Sequence, residues 1–381
     1  MATRNRIIYN VEALFASNHT GAGANGAIGS GDCTHLKRVQ SISHSAELTR
    51  TDVNAFGKLA ALDRPIVEEP TVSMDFSYYA TNGYNESGIG LTTFKVNSEE
   101  TNCISGILAN NPEAQKNYYI LTVTEGLDAD GVVPQDADFG VVGIGNAFLS
   151  SYTFNASVGE LPTVDVSCEA SNIQFGPNSA TGFRTPAIDV NAGTAADAQY
   201  SGLVLLPPAS ETGVTMPTAL RPGDITLEFG TNTLEMGGAL LPGMNGTKQT
   251  AHVQSVSLEV PLSRTPQQRL GNPFAFSREL DVPINVTCNV TANLADIDEG
   301  SLVSLICNPE EGRQIAIKLS DPCSGDQSIA LRFDFKGALL DSQSFDSSIG
   351  DNKTVDLTFS AQIGGPNDAD NGLFISGRHD S

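Results

Sequence analysis

Short runs in which apolar and polar residues alternate recur along the chain. Over 71–78, Val72, Met74, Phe76 and Tyr78 alternate with Thr71, Ser73, Asp75 and Ser77. Over 163–169, Val164, Val166 and Cys168 alternate with Thr163, Asp165, Ser167 and Glu169. The phase returns in Val286, Cys288 and Val290 against Asn285, Thr287, Asn289 and Thr291, and in Val355, Leu357 and Phe359 against Thr354, Asp356, Thr358 and Ser360. Such alternation predicts strands with one buried and one wet face. Residues 39–48 read alike: Ser41, Ser43, Ser45 and Glu47 fall on the wet side, and Ile42, His44, Ala46 and Leu48 on the apolar side. His44 is therefore expected as a packed core histidine. The i, i+3, i+4 spacing of Ile104, Ile107 and Leu108, and of Leu302, Leu305 and Ile306, predicts one short helix in each half. A strand is expected after each, over 118–123 and 314–319.

These paired patterns belong to an internal repeat. Residues 39–51 and 253–265 share seven of 13 positions at an offset of 214, which extends back to pair Phe15 with Phe229 and Gly23 with Gly237. Residues 148–170 and 339–361 share nine of 23 positions at an offset of 191, so the second copy is 23 residues shorter in its middle. Agreement of phase between the copies supports the register, because a one-residue slip would turn the apolar set outward. The expected architecture is mainly β: two tandem β-sandwich or half-barrel domains at 6–175 and 222–376, each with one flanking short helix. Residues 176–221, rich in Pro, Gly, Ala and Thr, read as a linker or surface arm.

Composition narrows the role. Among 381 residues, 44 acids stand against 21 bases, a net charge of -23 shared almost evenly by the two halves. A field of that sign disfavours ordinary binding to nucleic acid or anionic lipid. The N-terminal run is too short and polar for a signal sequence, and no apolar run approaches a membrane span. Six scattered cysteines without a C-x-x-C pair fit reduced thiols.

Tempting motifs resolve into simpler readings. Gly21, Gly23 and Gly26 fit G-x-G-x-x-G, but the following Ala27–Asp32 stretch is loop-like, whereas a dinucleotide site needs a helix opening there. Asp128, Asp130, Asp136 and Asp138 crowd one loop, and Asp368 and Asp370 another, without the order of a calcium-binding loop. The five histidines show no pairing for zinc or nucleophilic catalysis. No catalytic, cofactor or metal site is expected, and the chain does not read as an enzyme.

The strings Val39-Gln40-Ser41-Ile42, Arg50-Thr51-Asp52-Val53-Asn54-Ala55-Phe56-Gly57 and Glu69-Pro70-Thr71-Val72-Ser73-Met74-Asp75-Phe76 resemble the major tail tube proteins of long-tailed (siphovirus-like) bacteriophages. Ile104-Ser105-Gly106-Ile107-Leu108 and Gly159-Glu160-Leu161-Pro162-Thr163-Val164 carry the same resemblance. It is closest over 6–170; in the second copy Pro266 and Pro273 interrupt the corresponding stretch. The resemblance implies a virion structural protein, made and assembled in the host cytoplasm, whose domains close six to a ring. The rings stack into a hollow tail for DNA passage, with tape measure and tail terminator proteins as further partners. A duplicated domain would let three chains close a pseudo-sixfold ring. DNA is then cargo rather than ligand, and no membrane anchor is expected. Asp75, Asp165 and Asp356 are the expected lumen-facing carboxylates. The loops 16–37 and 230–251, marked by Gly21, Gly23, Gly26, Gly237 and Gly238, are the expected ring-stacking contacts. The alternative is a tandem β-sandwich adhesin or carbohydrate-binding protein of a virion or cell surface. The absence of Trp counts against the aromatic platforms it would need.

Overall fold

The computed structural model describes residues 12–18, 32–95, 101–108, 114–123, 129, 139–178, 182–192, 194, 198–207, 219–229, 235–236, 239–240, 251–294, 313–320, 329–347 and 352–378. The first half holds β1 (Glu12–Asn18), β2 (Cys33–His35), β3 (Val39–Glu47), β4 (Thr71–Tyr79), β5 (Thr93–Phe94), β6 (Lys116–Thr122), β7 (Gly140–Ser157), β8 (Thr163–Ala170) and β9 (Asn172–Pro177). Helices α1 (Tyr84–Gly88) and α2 (Ser105–Leu108) lie between β4 and β6. Next come β10 (Phe183–Arg184), β11 (Leu203–Val204), β12 (Ile225–Phe229), β13 (Glu235–Met236) and β14 (Ala239–Leu240). The second half continues with β15 (Ala251–Pro261), β16 (Arg264–Gln267), β17 (Ser277–Leu280), β18 (Asn285–Leu294), β19 (Arg313–Ser320), β20 (Ile329–Asp346), β21 (Thr354–Gln362) and β22 (Gly372–Gly377). The protein is mainly β, as expected.

The alternating strands build the inner layer. In the order β3-β4-β8-β7-β15-β18-β21-β20, using the C-terminal halves of β7 and β20, they form one antiparallel sheet across both halves of the chain. The N-terminal halves of β7 and β20 leave this sheet for two outer ones. β7 there lies between β6 and β9, with β1 beyond β6, and β20 lies between β19 and β22, with β12 beyond β19. Each long strand changes layer near an irregularity, between Leu149 and Ser151 and between Leu340 and Ser342. A bulge bends a strand and re-aims its side chains, which lets one strand serve two sheets. The pairings β1–β6, β3–β4, β4–β8, β6–β7, β7–β8 and β7–β9 all have counterparts among β12, β15 and β18–β22.

One apolar core runs between the layers and across both halves, and Phe154 and Phe333 meet at 4.7 Å between ring centroids. A second core lies on the other face of the first outer sheet. Phe15, Tyr119, Leu121 and Val141 are covered there by Phe183, Ala187, Val204 and Leu206. The described part of 176–221 therefore packs on the first half. Gly145 permits the approach, because a Cβ there would meet the Pro186 carbonyl oxygen at 2.1 Å. Pairing order puts Lys318, Arg332 and Asp334 where the first half has Leu121, Val141 and Gly143. That charged set could not form the same apolar contact.

Several expectations change. His44 faces the same side as Met74 but is exposed, because β3 is an edge strand pairing only β4 among the described strands. Phe229 lies opposite Ile315 as Ala16 lies opposite Tyr118, one residue away from the Phe15 match expected from sequence. The loop expected over 16–37 is shortened, since β1 runs to Asn18 and Cys33–His35 pairs back onto it. The helix expected at 104–108 is present as α2, with α1 in addition; its counterpart at 302–306 lies outside the described residues.

α1 carries a carboxyl into the core. Glu86 is fully buried and accepts hydrogen bonds from Tyr78 Oη at 2.9 Å and Tyr152 Oη at 3.3 Å. Burial nonetheless pushes its pKa above the ordinary carboxylate range, the two tyrosine hydrogen bonds offsetting only part of that. A raised folded pKa means that the folded state holds the proton more tightly than the unfolded chain. Stability should therefore fall as pH climbs above the unfolded value of about 4.3, by up to ~1.4 kcal/mol per pH unit. Glu86→Gln is expected to flatten that decline, as read from urea denaturation between pH 4.5 and 7.5. Parallel profiles for the two proteins would remove Glu86 as its source.

Candidate assembly surface

Inside the chain, the two halves of the inner sheet meet where β15 lies beside the C-terminal half of β7. Leu258 is opposite Phe154 and Val260 opposite Tyr152 on the apolar face, with Ser257 opposite Asn155 on the polar face. Leu258, Phe154 and Tyr152 are completely buried. On the polar side Ser257 Oγ donates to Asn155 Oδ1 at 2.8 Å, and Asn155 Nδ2 donates to Asp165 Oδ2 at 3.0 Å, so a hydrogen-bonded chain crosses the seam. The sheet ends in two edges among the described strands: β3 at one end and the C-terminal half of β20 at the other. These are the counterparts of β15 and β7, the strands joined at the seam.

The polar face has one sign of charge. Asp75, Asp165 and Asp356 all lie on it, as do Glu47, Glu259 and Asp346. None of the eight strand segments contains a Lys or Arg. Ser and Thr fill most of the remainder, and cross-strand bonds such as Ser41–Ser77 at 2.6 Å and Thr291 Oγ1 to Asp356 Oδ1 at 2.7 Å hold them in rows. Alternation alone puts Asp75, Asp165, Asp356, Glu47 and Glu169 on wet faces; Glu259 and Asp346 join them on the same face in the structure.

Two arms leave the inner sheet, 48–70 between β3 and β4 and 262–284 between β15 and β18. The second docks on the first half. Arg278 reaches Glu69 and Glu169, each at 3.3 Å, and Ala275 N–H donates to Glu69 Oε2 at 2.9 Å. The Arg264 guanidinium lies 4.9 Å from the centre of the Phe148 ring, and Asn272 donates to the Val190 carbonyl. Arg278→Ala would leave the buried Glu69 carboxylate without its cation. The expected cost is ~3 kcal/mol in a denaturation experiment, with Arg278→Lys intermediate; an unchanged midpoint would show that the arm does not need this pair. The first arm instead pairs its own Arg64 and Asp52 at 2.6 Å, both largely exposed.

Both arms end alike. Phe56 precedes Gly57 at φ +88°, and Leu270 precedes Gly271 at φ +86°, positions 214 apart. Phe56 and Leu270 are fully exposed, at 109% and 104%. Docking of the second arm leaves its apolar tip in solvent.

The remaining expectations are placed as follows. Gly21, Gly23, Gly26, Gly237 and Gly238 lie outside the described residues, as do Asp128, Asp130, Asp136 and Asp138. Asp368 accepts hydrogen bonds from the backbone N–H groups of Asp370 and Asn371, which close a turn and hold its carboxyl below the usual range. Cys33, Cys103, Cys168 and Cys288 are free and buried, and burial pushes each thiol up to about 12. Among the described residues no group of three or more His, Cys, Asp or Glu side chains is placed to hold a metal, and no helix is long and apolar enough to cross a membrane.

No family model and no curated protein matches the chain. Among solved structures, a chain from the tail of an empty GTA particle, computed with helical refinement and C6 symmetry, aligns at 14% identity. The alignment covers 39% of this chain and 96% of that one, with a TM-score of 0.23. A likeness at that level fixes neither fold relationship nor role.

Proposed function

We propose that the protein is a structural component of a phage-type virion tail, whose chains close into rings and whose rings stack into a tube. The observation that carries the reading is the inner sheet, which joins two similar halves through one seam and ends in the counterparts of the two seam strands. A head-to-tail contact of this kind generates rings when its rotation closes. Closure also removes the exposed strand edges, which otherwise invite aggregation. The repeated pairings support reading 6–175 and 222–376 as two tandem domains joined by 176–221, so three chains supply six domains. The role is structural, not enzymatic.

The all-acidic, Ser/Thr-rich face supports a lumen through which DNA passes as cargo. Asp75, Asp165 and Asp356 would line it, repelling phosphates and presenting no cation to hold them. Stacking is assigned to the arm tips and to the glycine-rich segments between β1 and β2 and between β12 and β15. Deleting residues 20–30 is expected to give soluble rings that no longer polymerise, and tubes of normal length from the deletion would contradict that assignment. Negative-stain microscopy of the purified chain tests the whole reading. Rings or hollow tubes are expected; separate elongated particles at every concentration would favour a tandem adhesin.

A further inference from the structure

The seam inside the chain is a template for the contact between chains, and the two differ in composition. Irregularities in pairing lie between Val39 and Ser41 in β3 and between Val253 and Ser255 in β15, 214 residues apart. Those of β7 and β20, at Leu149/Ser151 and Leu340/Ser342, are 191 apart. Both edges of the seam therefore have counterparts fixed to the residue, not merely to the strand. Carrying the β7–β15 register across with these offsets puts Ser43 opposite Asp346, His44 opposite Phe345 and Ser45 opposite Ser344.

We propose that successive chains join through β3 of one and residues 342–346 of β20 in the next, in this register, with His44 as the residue that assembly buries. This deepens the ring reading and rests on it. Three observations besides the register support the surface. β3 is exposed along most of its length, although its counterpart β15 buries Val256, Leu258 and Val260. Phe345 is 43% exposed, although its counterpart Phe154 is completely buried. Ser43, Ser45, Ser344 and Asp346 are exposed on the polar face, where they would extend the Ser/Thr rows across the junction.

His44 occupies the position of Leu258, the centre of the apolar seam. Its apolar-side surroundings would be Ile42 and Ala46 on its own strand, Met74 opposite it on β4, and Phe345 of the next chain. The Lys353 ammonium lies 5.4 Å from the centre of the Phe345 ring. Glu47 and Asp346 belong to the opposite face. An imidazole buries less apolar surface than the Leu258 side chain whose place it takes, so the junction between chains is the weaker of the two seams.

Cysteine pairs test the register. Ser43→Cys with Asp346→Cys, and independently Ser45→Cys with Ser344→Cys, should form chain-to-chain disulfides in assembled protein. The mismatched Ser43→Cys with Ser344→Cys pair should give at least about tenfold less, since its Cα atoms exceed disulfide reach. The two in-register pairs guard against a variant that fails to assemble. Equal cross-linking by matched and mismatched pairs, or none from either matched pair in rings seen by microscopy, would overturn the proposal. Absence of rings from the unmodified chain at every pH would instead remove the ring reading itself. For His44, restoring the apolar centre of the seam should strengthen the junction, and rings of His44→Leu should dissociate on dilution at a concentration at least about tenfold lower than rings of the unmodified protein. Coincident dilution profiles for the two proteins would exclude His44 as a residue that assembly buries.

Discussion

Replacing Phe56 and Leu270 together by Asp is expected to leave rings intact and abolish tubes. The two residues hold the same position on two arms, each just before a glycine in the left-handed region, and both are fully exposed. An apolar side chain at a single exposed tip needs no explanation, but the same exposure at both counterparts does. The second arm is already docked against the first half through Arg278 and Asn272, and that docking leaves Leu270 uncovered. Covering a side chain of this size is worth ~1.5–3 kcal/mol, repeated at both tips of every chain. Aspartate would replace that gain with a buried charge in a chain that already carries -23. Sedimentation and microscopy should show short or single rings. Tubes of normal length from the double variant would assign stacking elsewhere.

Leu258→Asp should be the most damaging single change in the sheet. Leu258 is completely buried opposite Phe154 at the seam that unites the halves. A carboxylate there loses the packing and gains no partner, a combination expected to cost at least ~5 kcal/mol, comparable with the whole stability of many domains. Expressed protein should be insoluble or should unfold without a cooperative transition. The same substitution at the counterpart, His44→Asp, should leave the isolated chain's denaturation midpoint nearly unchanged, because that edge is open, while preventing ring closure. A soluble, cooperatively folding Leu258→Asp chain would show that the seam contributes little.

The contrast between those positions marks how far the sequence could be read. Strands β4, β8, β18 and β21 were legible because both neighbours of each are in the inner sheet and one face is uniformly buried, which imposes clean alternation. β7 and β20 were not legible as single strands. Their N-terminal halves belong to an outer sheet, and the bulges near Ser151 and Ser342 reset the phase. His44 was misjudged because alternation reports which face a residue occupies, not whether anything covers that face. Which edges pair is likewise invisible to alternation: β3 and β15 share a pattern, although His44 and Ala46 stand where the seam has Leu258 and Val260. The three aspartates were legible as wet-face residues, but their gathering on one acidic sheet spanning both halves required the topology. The packing of 176–221 had no local signature, since it depends on Phe15, Tyr119 and Leu121 presenting a second apolar face.

On the proposed reading, one chain supplies two of six equivalent positions around a ring. Native mass measurement of isolated single rings, from the arm-tip double variant if tubes predominate, tests it most directly. Three chains per ring, with sixfold features in projection, is the predicted result. Six chains per ring, or a chain that stays monomeric in every condition, would contradict it.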